Sequence, residues 1–294
     1  MLDALLARLP DRDDLEVLLV DDHSSVTYSP PDFAHLRLHQ LALPTGHTHA
    51  GAARNLGMSA ATGDWMGFID SDDLVNTAGL LGLLDGLAKG NWQDHDLIVV
   101  RAWSFVDGEP QRAGSRHLFV NRWIARSASG SPDAIVRVPS CWVRILRRGF
   151  VQDQSLRFGS TAVAEDVDFA VDLALARPRT AFANLVLAEV RQGRQSLTAR
   201  LSTAAKVQIL QTKQAANARL RSGGLGTWEY PLLLDVLDLM RASPWHGFRW
   251  FLRLVRARAR LFPTLAETSR AVMARLSSPT LGDADAPQDH LSRR

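Results

Sequence analysis

The sequence predicts an α/β fold, a sheet flanked by helices, with an α-helical C-terminal extension. Three observations carry this. Apolar runs of strand length, at residues 15–20, 65–69, 96–105 and 185–190, alternate with helical patterns. Residues 51–75 join a helix, a break, an apolar strand and an acidic turn in one unit. From residue 200 onward only helical spacing remains.

At 294 residues the chain has room for one large α/β domain and an appendage. Its one cysteine, Cys141, excludes an internal disulfide and a four-thiolate metal site, and it fits a reducing compartment. No apolar run is long enough for a membrane-spanning helix. The first residues lack the basic and apolar regions of a signal peptide. Cytoplasmic residence is therefore the expectation. The net charge of +3 does not support nucleic-acid binding.

Taken in order, residues 1–9 read as a short amphipathic helix, with Leu2, Leu5, Leu6 and Leu9 on one face and Pro10 ending it. Residues 15–20 are apolar enough for a covered strand. Asp21-Asp22-His23-Ser24-Ser25 follows, and these residue types favour turns. Residues 28–32, with two prolines, form a loop, and Leu36-Arg37-Leu38 alternates like a short strand. The polar loop 44–51 carries His47 and His49 with no third ligand nearby, so they read as solvated.

Ala52, Ala53, Leu56 and Ala60 share one helical face until Thr62-Gly63-Asp64 breaks the pattern. Arg54 and Asn55 on this helix either brace a site or lie on its surface. The strand at 65–69 delivers Asp70-Ser71-Asp72-Asp73 at its C-terminal end, where ligands bind in open α/β sheets. Like charges packed this closely are costly unless offset. A hard divalent ion held by carboxylates and a substrate diphosphate would offset them. The alternative is a solvated acidic turn in which Asp73 caps a helix over residues 74–88.

Residues 96–105 form the next strand, its Trp103 and Phe105 facing the core or a sugar. Residues 108–131 carry Arg112, Arg116, Arg122 and Arg126 without periodicity and read as a variable loop. Residues 140–148 read as a strand with a basic face. Glu165-Asp166-Val167-Asp168-Phe169 opens a helix, and acids there suit the helix dipole by about 0.3–1 kcal/mol. A strand at 185–190 runs into a basic loop with Arg191 and Arg194.

The extension holds helices at 201–220, 230–240 and 245–262. In the last, Phe248, Phe251, Leu252, Val255 and Phe262 share a face beside a stripe of Arg249, Arg253, Arg256 and Arg260. That pattern suits a core helix with a solvated basic face, or an anionic lipid monolayer. The expected organisation is a domain over 1–199, a helical extension over 200–276 and a disordered tail over 277–294.

The stretch ARNLGMSAATGDWMGFIDSDD resembles the signature of family 2 glycosyltransferases of the GT-A fold. The resemblance implies a nucleotide-diphospho-sugar transferase fold, a Rossmann-like mixed sheet flanked by helices. It implies Mg²⁺ or Mn²⁺ on Asp70, Asp72 and Asp73, with Asp70 and Asp72 also at the donor diphosphate. The segment Asp21-Asp22-His23-Ser24 is similar to the family's Asp-Asp-x-Ser, whose second acid, here Asp22, accepts from the base. Arg54, Arg191 and Arg194 are implied at the donor. Arg144, in a segment similar to Trp-x-Lys-Leu-x-Arg-Arg, and Glu165 are implied to position substrates. Asp166 matches the catalytic base of inverting members.

The implied activity is metal-dependent, inverting transfer of a sugar from a nucleotide-diphospho-sugar to an acceptor hydroxyl. UDP is the commonest nucleotide, and the acceptor is a glycan or a lipid-linked chain in polysaccharide synthesis. Peripheral contact with the inner face of the plasma membrane is part of the same expectation. Family members open on a strand closing with Pro-x-Tyr/Phe-Asn, whereas this sequence starts within the helix that follows it, so a sheet lacking that strand is expected. The second reading is accordingly a non-catalytic, degenerate nucleotide-sugar-binding protein. The third is a membrane- or nucleic-acid-binding protein acting through the arginine-rich helix.

Overall fold

The structure, a computed structural model, describes residues 2–26, 28, 36–127, 133–193 and 201–262. In chain order the first unit holds α1 (Leu2–Leu6), β1 (Glu16–Asp21), β2 (Arg37–Ala42), α2 (His49–Ala60), β3 (Trp65–Met66), β4 (Leu74–Val75), α3 (Thr77–Ala88) and β5 (Leu97–Val106). It continues through β6 (Glu109–Ala113), α4 (Arg116–Ser127), α5 (Asp133–Arg137), β7 (Arg144–Arg147), α6 (Arg148–Asp153), α7 (Glu165–Leu175) and β8 (Thr180–Gln192). The described residues divide into two compact units, Met1–Arg194 and Gln195–Arg294.

The mixed sheet is built on β5, which is almost wholly buried because both its faces are covered. β8 runs parallel to it from Leu97↔Thr180 to Val106↔Gln192. β7 pairs antiparallel with its first residues and β6 folds back on its last. The order is β3-β7-β5-β8-β4, with β6 on β5. β1 and β2 pair in parallel as a separate two-stranded sheet, from Glu16↔Arg37 to Asp21↔Ala42. Side chains rather than backbone bonds link the two sheets. Leu5 and Leu6 of α1 pack with Leu74 and Phe105, and Val17, Leu38 and Ile69 lie around them.

Several expectations are corrected. The strand expected at 65–69 is hydrogen-bonded only at Trp65–Met66. Leu74 and Val75 do not begin a helix; they pair with Glu189 and Ala188 of β8. Asp73 is not a helix cap, because α3 starts after Asn76, whose side chain accepts from the Gly79 amide at 2.8 Å. Within residues 108–131 the expected unpatterned loop gives way to β6 and the whole of α4. Here pairing with β5 decided the structure, which periodicity does not register.

The second unit contains α8 (Thr203–Ser222), α9 (Leu233–Ala242) and α10 (Pro244–Arg256). Its core is Leu210, Leu220, Leu232, Val236, Leu239 and Leu254. Ser202 caps α8. Asn217 exchanges two hydrogen bonds with the Tyr230 backbone, which fixes the return of the chain. α10 packs through Gly247, Trp250 and Leu254, not through the expected aromatic face: Phe248 and Val255 on it are exposed. Arg260 leaves the expected basic stripe and donates to the Thr227 and Glu229 carbonyls. The tail expected over 277–294 lies outside the described residues. No described helix is long and apolar enough to cross a membrane.

Candidate active site

Asp70-Ser71-Asp72-Asp73 forms a tight turn in which the Asp73 amide donates to the Asp70 carbonyl at 3.0 Å. The turn brings carboxylate oxygens of Asp70, Asp72 and Asp73 within 4.8 Å of one another. Because β4 begins at once and pairs with β8, Asp73 is pressed against Arg191, whose amide donates to its Oδ1 at 2.7 Å. Asp73 is 3% exposed. Burial pushes its carboxyl up to about 7; Asp72 and Asp70 add to this, and the Arg191 amide opposes it. Three hard oxygen donors, one of them buried, fit a hard divalent cation.

Arg54 explains why an Arg-Asn pair stands on α2. Its Nη2 donates to Asp70 Oδ1 at 2.8 Å and its Nη1 to Glu165 Oε1 at 2.7 Å. The guanidinium lies over the Phe158 ring, 5.3 Å from its centroid. Asn55 donates to the Phe158 carbonyl at 3.0 Å and accepts from its amide at 2.9 Å. Phe158 stacks on Phe169 of α7 and meets Phe68 edge-on, with centroids 4.1 and 5.2 Å away. The acidic turn, α2 and the start of α7 are thus one packed assembly. Gly51 lets α2 approach: a Cβ there would stand 2.3 Å from the Gly159 carbonyl oxygen and 3.1 Å from Glu165 Cγ.

Asp166 follows Glu165 in the first turn of α7, after Ala164, which holds a left-handed φ of 61°. Burial raises the Asp166 carboxyl above its ordinary range and Glu165 adds to the effect, while Arg144 and Arg54 oppose it. Arg144 is 2% exposed, and its Nη2 donates to the Ile135 and Val138 carbonyls at 2.6 Å each. It therefore holds the 135–138 segment and biases Asp166 from behind, with no exposed surface of its own to offer a substrate. Burial pushes the Cys141 thiol up to about 12, and it senses Arg54, Asp70 and Asp166 together. It is an inert filler at the centre of the site.

Two further expected groups sit at the edges. The Arg191 side chain stands between Asp72 and Asp107, at 3.6 and 3.4 Å. Asp22 Oδ2 accepts from the His49 amide at 2.9 Å, and His23 Nε2 lies 2.8 Å from the His47 carbonyl. These bonds stitch loop 44–49 to the end of β1 and hold His23 and His49 at φ 56° and 78°. Such non-glycine positions are strained and concentrate at functional sites. Arg194 lies outside the described residues. Phe158 and Asp107 were missed from the sequence, where neither carries a local signal.

Residues 1–153 match the family described as Glycosyl transferase family 2. The match ends before Glu165 and Asp166. No curated protein matches the chain. Among solved structures, the chain is similar to S. aureus TarS 1-349, at 18% identity over 93% of this chain and 74% of that one, with a TM-score of 0.55. It is also similar to TarS 1-349 in complex with UDP-GlcNAc, at 20% identity, 91% and 86% coverage and a TM-score of 0.51. The mannosyltransferase PcManGT from Pyrobaculum calidifontis, in complex with GDP-Man and Mn²⁺, aligns at 16% identity, 94% and 75% coverage and a TM-score of 0.50. These likenesses establish the fold as the GT-A arrangement. The family match spans more than half of the 294 residues, so this protein belongs to glycosyltransferase family 2 and is a transferase of sugars.

Proposed function

We propose that the chain transfers a sugar from a nucleoside-diphosphate sugar, UDP-linked by preference, to an acceptor hydroxyl, with inversion. The observation that carries this reading is the three-carboxylate turn, tied by Arg54 to the helix that presents Asp166. Asp70, Asp72 and Asp73 would hold Mg²⁺ or Mn²⁺ against the donor diphosphate. When bound, the ion supplies Lewis-acid stabilisation of the leaving diphosphate. Arg191, beside Asp72, places a fork of N–H donors on the same side. Asp22 Oδ1 would accept the imide N–H of uracil, its Oδ2 being engaged by His49.

Asp166 takes the proton from the acceptor hydroxyl. The oxygen attacks the anomeric carbon from the face opposite the diphosphate, which leaves with the bonding electrons. Glu165, fixed by Arg54, sets the position of Asp166. The acceptor belongs to a glycan or a lipid-linked chain, by analogy with the family.

Calorimetric titration of UDP, dTDP and GDP, with and without Mn²⁺, tests the donor site. Mn²⁺-dependent binding of UDP, lost in Asp72→Ala, is expected. A folded chain that binds none of the three would refute the reading. Asp166→Asn should keep nucleotide binding and lose about 10²–10⁴-fold in turnover. Unchanged turnover would remove Asp166 as the base.

A further inference from the structure

We propose that the outer face of α10 seats the protein on an anionic lipid surface, a property independent of the transfer reaction. The helix has three sides. Gly247, Trp250 and Leu254 pack inward, and Gly247 is crossed so closely that a Cβ there would stand 2.2 Å from Met240 Cγ. Trp245, Phe248 and Val255 recur at three- and seven-residue steps on a second side and are 65%, 48% and 47% exposed, with half-buried Leu252 among them. His246, Arg249, Arg253 and Arg256 line the third side, all exposed.

An isolated exposed aromatic needs no explanation, but a continuous apolar stripe along a helix does. The charge beside this one says what covers it. Among the described residues no carboxylate pairs with Arg249, Arg253 or Arg256, although elsewhere in this unit Lys206, Lys213 and Arg221 pair with Asp238, Asp235 and Glu229. The same three arginines and His246 line a cleft of about 540 Å³, with Val207, Trp250 and Leu252 on its walls. The Arg253 guanidinium lies 4.8 Å from the Trp250 ring centroid, which spreads it along the helix surface. A helix with insertable aromatics on one flank and unneutralised arginines on the next matches the boundary between acyl chains and phosphate headgroups. Nucleic acid would use the arginines and leave Trp245 and Phe248 in water. A second protein copy would bring its own arginines against these.

The test is sedimentation of the full chain with phosphatidylcholine vesicles, with and without phosphatidylglycerol, at low and high salt. Binding to the anionic vesicles alone, weakened by salt, is expected. Arg249→Gln with Arg256→Gln should lower partition about 25-fold, about fivefold for each arginine near a charged surface. Trp245→Ser with Phe248→Ser should lower it about tenfold or more, with circular dichroism unchanged because all four positions are exposed. Wild-type chain that ignores anionic vesicles overturns the proposal. So does equal binding by both double variants, or salt-dependent DNA binding that the aromatic changes leave intact. Loss of a dimer without loss of vesicle binding, in the aromatic variant, would assign the stripe to a second copy instead. UDP binding is the control: it should persist in every variant, so failure here is separable from failure of the donor site.

Discussion

Arg54 donates to carboxylates 16 and 111 positions away in sequence, and its side chain is 14% exposed. Glu165, its partner on α7, is 13% exposed. Removing one member of a buried pair leaves the other charge stranded, at a typical cost of about 3–5 kcal/mol. Arg54→Met should therefore lower the melting temperature markedly. Arg54→Lys should recover part of the stability but little activity, because a point charge cannot span two carboxylates as a guanidinium does. A kcat equal to wild type in Arg54→Lys would show that the bridge is scaffolding only. Asp73 makes a second residue-scale prediction. Its folded carboxyl, near 7, binds its proton more tightly than in the unfolded chain. Its stabilising contribution is therefore whole below about pH 4 and is lost as pH rises through about 7, about 4 kcal/mol in all. Thermal melts without divalent ion should fall across that window, and Asp73→Asn should flatten them. Added Mn²⁺ should stabilise more as pH rises, since the ion needs the ionised carboxylate.

At the scale of elements, the site depends on close approaches that glycine permits. A Cβ on Gly79 would stand 1.8 Å from the Val186 carbonyl oxygen, so α3 lies directly on β8, the strand that carries Arg191. Gly79→Ala must push helix and strand apart, at about 1–3 kcal/mol. Gly149, in α6, has nothing within 4 Å of the same atom. Gly149→Ala should be neutral or stabilise by about 0.5–1 kcal/mol through helix propensity. Chemical denaturation of the two variants checks the contrast, and equal midpoints would remove the packing argument. Element identities were largely legible: β1, β5, α2 and α7 announce themselves by apolar run or helical spacing. The short strands β3 and β4 were not. Two paired residues carry no period, and Leu74-Val75 becomes strand only because Glu189 and Ala188 of β8 stand beside it. Likewise, an exposed aromatic face on α10 and a buried one have the same spacing. Burial was decided by the crossing of α9 at Gly247.

For the whole molecule, the division at Arg194/Gln195 leads us to propose that the donor site belongs to the first unit alone. A chain ending at residue 194 should bind nucleotide with the affinity of the full chain and lose vesicle binding. Weakened nucleotide binding would show that the helical unit contributes to the site. The sequence by itself determined the α/β class, the acidic turn after a short strand and the helical character of the C-terminal part. Each of these is local, written in periodicity or in neighbouring carboxylates. Only the tertiary structure decided that Arg54 joins Asp70 to Glu165, that Phe158 supports the bridge, that Arg144 is buried behind Asp166, and which side of α10 faces out. Those outcomes depend on contacts between segments far apart in the chain, whose free energy comes from burial and pairing that no local pattern records.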